Sequence, residues 1–403
     1  MPQVLFPTQS EKPEIAEDDF QRSRLHSLDA FRGFIMLMMA SAGFGLVQLG
    51  RRFPDTAWET IGNQFQHVEW IGCSLWDLIQ PAFMFMVGLS LAYSYGKRKE
   101  NGESWGRMFR HAVSRAILLT LLGVFLQSSS KPETNWLFTN VLSQIGLGYI
   151  FVFLLWEKSR VAQILSALIL LIGYWLAFYY HVYPEPGITL AELKLTPDDL
   201  LPGGIEPWTI HLNFAATFDR WYLNLFPRPE PWVIHPGGYQ TLNFVPAIAT
   251  MLAGLAIGEF LRDEKTTPDV KLKRLLLAGV PLLALGVAAG VTVCPIVKRI
   301  WTPSWVLYST GWVIWMLAFF YGIIDVWGKK GWAFPLKVVG MNSIAIYLMY
   351  QLMTPWILKM LKTHIGADIF QGDFGPMQQR CTILFVLWLM CLYLYRRKIF
   401  FRI

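Results

Sequence analysis

The sequence has 403 residues, of which 54% are hydrophobic and only 16% are charged, with a formal net charge of +7. Soluble globular proteins contain about 45–50% apolar and about 25% charged residues. The composition therefore excludes a disordered chain, a fibrous repeat and a disulfide-rich secreted module. Because the apolar residues occur in long blocks, the sequence predicts a polytopic membrane protein.

Ten apolar blocks approach the length of about 20 residues that a membrane-spanning helix needs. They predict spans at 31–50, 73–95, 112–127, 137–156, 161–180, 240–261, 273–293, 304–327, 336–360 and 381–397. Segments of about ten residues with strict alternation, as in a transmembrane β-barrel, do not occur. The sequence thus predicts an all-α fold of about ten transmembrane helices. Residues 1–25 are polar and predict a cytoplasmic tail, and residues 26–403 predict one transmembrane domain.

The positions of lysine and arginine predict the orientation. With the N-terminus in the cytoplasm and ten spans, 24 of the 35 basic residues fall inside and 11 outside, as the positive-inside rule requires. Both termini then lie on the cytoplasmic side of the inner cell membrane. The longest connection, 181–239, becomes an acidic extracytoplasmic loop. The positive net charge therefore reflects topology and anionic lipid, and no nucleic-acid partner is expected.

Several common catalytic motifs are absent from the sequence. It has no CxxC, HExxH, GxxxxGK[ST] or GxSxG, so we expect no zinc site or other metal centre, no P-loop and no α/β-hydrolase elbow. No internal repeat is evident, which argues against an inverted-repeat transporter. Cys73 and Cys294 are both predicted near the outer membrane face, but we do not expect a disulfide between them.

Asp77 is the most informative polar residue because it lies within a predicted span. A carboxylate in hydrocarbon is costly, so Asp77 must face water, a partner or a substrate. His67 precedes it at the outer mouth, and contact requires 63–72 to fold back, which Gly62 and Gly72 permit. A histidine backed by a carboxylate is suited to act as a general base. The alternatives are a structural hydrogen bond for Asp77 and an interfacial histidine without chemistry.

Polar residues at the ends of other spans are further candidates. Asp29 and Arg32 share a helix face at the cytoplasmic entrance and can form an ion pair, although anchoring at the membrane surface would explain them equally. Asn342 and Ser343 either line a cavity or bond across helices.

Near the outer face, Lys298, Trp301 and Ser304 form a polar and aromatic cluster. Tryptophan is also common in the aromatic belt at a membrane surface. Glu69 and Trp70 follow His67 directly, so they are candidates for the same outer mouth.

Five segments carry a resemblance to a known family. SLDAFRG, HVEWIGCSLWDLIQPAFMFMVG, IWTPSWVL, YGIIDV and GMNSIAIY occur in this order between about residues 25 and 350. Together they resemble the heparan-alpha-glucosaminide N-acetyltransferase family, including its bacterial multi-pass homologues. The chain departs from the family pattern in having Ile71 after the motif tryptophan, Ser41 near the end of the first span, and Gln144 where the family has arginine.

The resemblance implies a transmembrane acetyltransferase. Acetyl would pass from cytosolic acetyl-CoA to an amino sugar or glycan on the far side, with His67 as the catalytic residue and Asp77 as its companion. Whether His67 acts as a general base or as an acetyl carrier stays open. The predicted donor-binding residues are Asp29, Arg32, Asn342 and Ser343. The predicted acceptor-binding residues are Glu69, Trp70, Lys298, Trp301 and Ser304.

Two functions from other classes remain open. The chain could be a transporter or flippase for a sugar or lipid-linked sugar, with Asp77 and His67 as a proton relay. It could instead be a non-catalytic scaffold for polysaccharide assembly. The expected partners are the lipid bilayer and, because relatives of the resembled family are dimeric, a second copy of the chain.

Overall fold

A computed structural model describes residues 25–401, which form helices joined by loops, without a β-strand among them. The α-helices are α1 His26–Ala40, α2 Leu46–Arg52, α3 Ala57–Gln64, α4 Ile79–Glu100, α5 Trp105–Ser128, α6 Val141–Trp156, α7 Arg160–Tyr179, α8 Phe214–Tyr222, α9 Phe244–Arg262, α10 Pro268–Thr292, α11 Pro303–Tyr321, α12 Phe334–Gly340, α13 Ser343–His364 and α14 Gly375–Arg396. The prediction of an all-α fold is confirmed. The predicted tail, 1–25, lies almost wholly outside the described residues.

Eight helices in the described part of the chain are long and apolar enough to cross a membrane. The first predicted span is a broken element, because α1 and the Ala42–Arg52 segment meet at a bend of 49°. The fourth predicted span, α6, has only 16 residues and is shorter than a bilayer usually requires. All ten apolar blocks are helical, but the number of spans and their orientation stay predictions.

Paired glycines bring the central helices into close contact. A Cβ on Gly88 of α4 would lie 1.8 Å from the carbonyl oxygen of Met251 in α9, and one on Gly254 would lie 2.0 Å from that of Phe85. Gly33 of α1 and Gly340 of α12 meet in the same reciprocal way. Small residues let helix backbones approach closely in membranes. These crossings therefore set the positions of α1 and α4, which line both cavities described below.

The two ends of the bundle differ in the loops they carry. One end, here called the loop end, holds the connections 53–75, 129–140, 181–243 and 293–302. The other end holds 101–104, 157–159, 263–267 and 327–333, and it is here called the basic end because lysine and arginine occupy the last turns of α4, α9 and α14 there. At the loop end, Asn140 and Thr302 cap α6 and α11 with side-chain oxygens, as is usual at helix N-termini. The helix starts that frame the loop-end cavity are thus fixed locally.

Candidate active site

A histidine–aspartate pair lies where the 65–75 loop joins α4. His67 Nδ1 is 2.7 Å from Asp77 Oδ1. The other carboxylate oxygen, Oδ2, accepts hydrogen bonds from the backbone N–H groups of Val68 and Ser74 and from the Ser74 hydroxyl. Asp77 is 1% exposed, so these contacts replace the water that it would otherwise need. The loop folds back over Asp77 and brings His67 to it.

Lys298, from the loop between α10 and α11, completes a buried charged group. Its Nζ lies 3.3 Å from Asp77 Oδ1 and 3.1 Å from His67 Nδ1. A carboxylate can only accept a hydrogen bond from Nδ1, whereas an ammonium can only donate one to it. The shorter contact, at 2.7 Å, is the one to the carboxylate. Nδ1 therefore carries the proton and donates to Asp77, and Lys298 donates to the same carboxylate. The second ring nitrogen, Nε2, is left with a lone pair that can accept a proton.

The surroundings favour the neutral form of His67. Burial lowers its pKa, the hydrogen bond to Asp77 raises it, and the nearby Lys298 lowers it again, with a net downward shift. Burial also lowers the pKa of Lys298 to about 8, against the upward pull of Asp77. A neutral imidazole with a free Nε2 is the form that a general base requires.

Three loops are tied together around this group. Arg299 donates from one guanidinium nitrogen to the carbonyl of Val68 and from another to that of Gly237. The Gly72 N–H donates to the Ile296 carbonyl. The loops that carry His67, Lys298 and the 235–239 turn consequently form one unit.

The His67 side chain faces a cavity of about 380 Å³ at the loop end, here called the outer cavity. Its lining is rich in amides and hydroxyls and lacks any carboxylate. The lining residues are Met39, His67, Trp76, Ile79, Gln80, Gln127, Thr139, Asn140, Val141, His235, Tyr239, Lys298, Tyr347, Tyr350 and Gln351.

A second cavity of about 350 Å³, the inner cavity, lies toward the basic end. Its polar lining includes Arg32, Arg98, His111 and Arg115, together with three serines, Ser90, Ser94 and Ser343. Arg32 reaches the Ser90 hydroxyl at 2.8 Å and Asp29 at 3.5 Å. Arg98 pairs with Glu103 at 3.0 Å and lies 3.1 Å from His111 Nε2.

Arg115 differs from the other two arginines of the inner cavity. Its guanidinium lies over the Tyr149 ring at 5.0 Å. Its Nε is buried without a hydrogen-bond partner, and it has no ion pair with any residue of 25–401. Arg115 therefore brings to the inner cavity a positive charge that no carboxylate of residues 25–401 pairs with.

The two cavities lie back to back on the same helices. On α6, Val141 lines the outer cavity, whereas the next residue, Leu142, lines the inner one. On α4 the lining changes between Gln80 and Phe83, a rise of about 4.5 Å. Less than one helical turn thus separates the amide-rich cavity from the arginine-rich one.

Comparison with known proteins identifies the family of the chain. The family model described as heparan-alpha-glucosaminide N-acetyltransferase, catalytic, matches residues 24–289, which is more than half of the chain. The chain belongs to this family. The match includes His67, Asp77 and the arginines of the inner cavity, but it stops before Lys298.

Two relatives show how far the likeness extends. The chain is 25% identical to heparan-alpha-glucosaminide N-acetyltransferase of Homo sapiens over 94% of its own length. It is 24% identical to the protein of the same name from Mus musculus, again over 94% of its length. The aligned part is 60% and 61% of these relatives, respectively, so the chain spans less than two thirds of each.

The structure separates the predicted donor-binding residues. Arg32 and Ser343 line the inner cavity, but Asp29 and Asn342 are buried behind it. Asn342 instead holds the C-terminal segment: its amide nitrogen donates to the Ile399 carbonyl, and its oxygen accepts from the Phe401 N–H, both at 3.1 Å. Its amide is thus engaged in an internal contact.

The predicted acceptor-binding residues also separate. Only Lys298 lines the outer cavity. Glu69 is exposed outside it, and Trp70 packs in the loop layer, where its Nε1 donates to the Trp208 carbonyl at 2.9 Å. Trp301 is 1% exposed, and the hydroxyl of Ser304, in the first turn of α11, donates to the Pro295 carbonyl of the preceding loop. None of these four residues lines the outer cavity.

Sequence reasoning missed other lining residues. Arg115 was visible as a charge inside an apolar block, and this signal could have placed it at a cavity. His235 lies in a Pro/Gly-rich stretch of the long loop, and no local pattern distinguishes it from a surface histidine. Tyr347 and Gln351 share a face of α13 at i, i+4 spacing, but this is equally common in lipid-facing helices.

One of the three departures from the family pattern has a structural role. Gln144 is buried on α6 and donates to the carbonyls of Phe138 and Thr241, so it secures the loops above the bundle. Ile71 is 48% exposed.

All four cysteines are free. Within residues 25–401, histidine, cysteine and acidic side chains form no group of three that could hold a metal ion.

Proposed function

We propose that the chain transfers acetyl from acetyl-CoA, taken up at the basic end, to an amino sugar or glycan that enters the outer cavity. The donor supplies an activated thioester. His67 acts as general base, Asp77 holds its ring in the productive tautomer, and Lys298 balances the charge of Asp77. The basic end would face the cytoplasm and the loop end the other side of the membrane.

The residues of the inner cavity fit the donor. Coenzyme A is a polyanion, and arginine is the side chain best suited to phosphate because its planar group donates several hydrogen bonds. Arg32, Arg98 and Arg115 converge on this cavity. The excess positive charge there would hold the phosphates, and the apolar lining from Phe83, Met86 and Leu142 would accommodate the arm that carries the thioester.

The outer cavity supplies the proton chemistry. The acceptor nitrogen or oxygen attacks the thioester carbonyl, forms the new C–N or C–O bond, and gives its proton to His67 Nε2. The C–S bond breaks, and the leaving sulfur takes that proton. Asp77 stays ionised and stabilises the imidazolium in between, as in other histidine–carboxylate pairs. A positioned base of this kind contributes about 10²- to 10⁴-fold to the rate.

The proposal rests on one observation: on α4 and α6, residues that line the arginine-rich inner cavity lie within a helical turn of residues that line the outer cavity, which His67 also lines. A transporter built on a proton relay would need His67 and Asp77, but it would not need a separate polyanion site at the opposite end. For this reason we favour transfer over transport.

The experiment uses the purified chain in lipid vesicles. Glucosamine is enclosed, acetyl-CoA labelled in the acetyl group is added outside, and N-acetylglucosamine is measured in the lumen by mass spectrometry. Vesicles whose basic end faces outward should form labelled product in the lumen. Replacement of His67 by alanine should reduce the product by at least about 100-fold.

The matched control is His364→Ala, which removes an exposed histidine at the end of α13 and should leave the rate unchanged. Product that forms with the donor and glucosamine on the same side only would contradict transfer across the membrane. Movement of unmodified glucosamine that depends on His67, without acetylated product, would instead support the transporter.

A further inference from the structure

The outer cavity contains a second histidine, His235, which belongs to the long loop. Its Nδ1 accepts a hydrogen bond from the Gly237 N–H at 3.0 Å. A backbone N–H can only donate, so Nδ1 of His235 carries a lone pair and the ring proton lies on Nε2. Nε2 has no hydrogen-bond partner among residues 25–401, and the residue lines the outer cavity.

The two histidines of this cavity are therefore fixed in opposite tautomers. His67 donates from Nδ1 to a carboxylate and presents a lone pair at Nε2. His235 accepts at Nδ1 and presents an N–H at Nε2. The assignment for His235 follows from a backbone amide, which can only donate. The assignment for His67 follows from the Asp77 carboxylate, which lies closer to Nδ1 than the Lys298 ammonium does.

The surroundings hold His235 in place and uncharged. Its ring lies 5.5 Å from the Tyr239 ring, which in turn lies 6.4 Å from that of His67. Burial, with a further contribution from Arg299, lowers the pKa of His235 to about 4. At neutral pH it is thus a neutral donor beside the general base, on a turn that Arg299 fixes through Gly237.

We propose that His235 binds the acceptor by donating a hydrogen bond from Nε2 to an oxygen atom of a polyhydroxylated sugar. The inference rests on the proposed function, since it assumes that the acceptor enters the outer cavity. The position of His235 on the loop layer, and not on the helices shared with the inner cavity, assigns it to the acceptor and not to the thioester. His67 would then remove the proton while His235 holds the sugar.

The test uses two substitutions of His235, each of which keeps the hydrogen-bonding role of only one of its two ring nitrogens. In His235→Asn, the amide oxygen can keep the contact to the Gly237 N–H, but no donor reaches the position of Nε2. In His235→Gln, the longer side chain restores a donor at that position. The measured quantities are the dissociation constant of the product, N-acetylglucosamine, by calorimetry on the protein in nanodiscs, and the KM for glucosamine.

Loss of one neutral hydrogen bond predicts that His235→Asn weakens N-acetylglucosamine binding and raises the glucosamine KM by about 2- to 12-fold. His235→Gln should stay within about twofold of wild type. The dissociation constant of coenzyme A should not change in either variant, which shows that the protein is folded.

The possible results separate the two proposals. Equal product binding by wild type and His235→Asn, with transfer intact, overturns the role of His235 and leaves the transferase proposal standing. Equal weakening in the Asn and Gln variants also overturns it, because a packing role would not distinguish them. A wild-type protein that neither binds N-acetylglucosamine nor acetylates glucosamine overturns both.

Discussion

The outer and inner cavities use charge in different ways. His67 and Lys298, which line the outer cavity, share the buried carboxylate of Asp77. Of the three arginines that line the inner cavity, Arg32 pairs with Asp29 and Arg98 with Glu103, whereas Arg115 has no ion pair within residues 25–401. Buried charges are costly unless they are compensated. A site whose charges compensate one another is suited to proton transfer, whereas a site with an uncompensated positive charge is suited to binding an anion.

The contrast predicts that substitutions in the two cavities change different kinetic constants. Outer-cavity changes should lower the rate of the chemical step or the affinity for the acceptor. Substitutions in the inner cavity should weaken the binding of acetyl-CoA and leave acceptor binding unaffected.

The largest effect is expected from Asp77→Asn. An asparagine amide can donate to Nδ1 of His67, which would move the ring proton to Nε2 and remove the base. We expect kcat to fall by about 10²- to 10³-fold with little change in coenzyme A binding. Steady-state kinetics with labelled acetyl-CoA and glucosamine, together with calorimetry for coenzyme A, measure both quantities.

The control for this substitution is Glu69→Gln, which removes an exposed carboxylate from the same loop. Its rate should match wild type. A full rate in Asp77→Asn would show that the tautomer of His67 does not control the reaction.

The next largest effect is expected from Arg115→Met, which keeps the length of the side chain and removes its charge. Because a hydrogen bond to a charged group contributes about 1.5–3 kcal/mol, the KM for acetyl-CoA should rise by about tenfold or more, with the glucosamine KM unchanged. The dependence on salt should also become weaker. Arg110→Met, on an exposed position of the same helix, should behave as wild type, and equal effects in both variants would contradict an inner donor site.

The sequence was sufficient for the helices but not for the cavities. The ten apolar blocks are all helical, since length and low charge are local properties that the residues themselves carry. The cavities depend on long-range contacts: Lys298 is 231 positions from His67, yet the two are 3.1 Å apart. The amide of Asn342, predicted to face the donor, is instead satisfied by the C-terminal segment, and no spacing rule could reveal that partner.

A smaller effect is expected from Lys298→Met, as a shift in pH dependence. His67 is active only when neutral, so the rate falls as the pH drops through its pKa. Burial and the positive charge of Lys298 lower that pKa, whereas Asp77 raises it. Removal of the lysine should raise the pKa of His67 and move the acidic limb of kcat/KM to higher pH. Lys298→Arg should leave the limb near its wild-type position, and a limb that does not move in Lys298→Met would show that Lys298 acts only in packing.

The smallest effect is expected from Asn342→Ala, which tests whether the C-terminal segment is part of the inner cavity. Phe401 lines this cavity, and the two hydrogen bonds of Asn342 hold it there, each with a contribution of about 1 kcal/mol. The substitution should accelerate amide hydrogen exchange at 399–401, measured by mass spectrometry, while kcat stays within about twofold. Asn342→Asp keeps the acceptor for the Phe401 N–H and should give an intermediate rate of exchange. If exchange accelerates and the KM for acetyl-CoA changes as well, the segment borders the donor site. If exchange does not accelerate, Asn342 does not hold the segment, and other contacts keep Phe401 at the inner cavity.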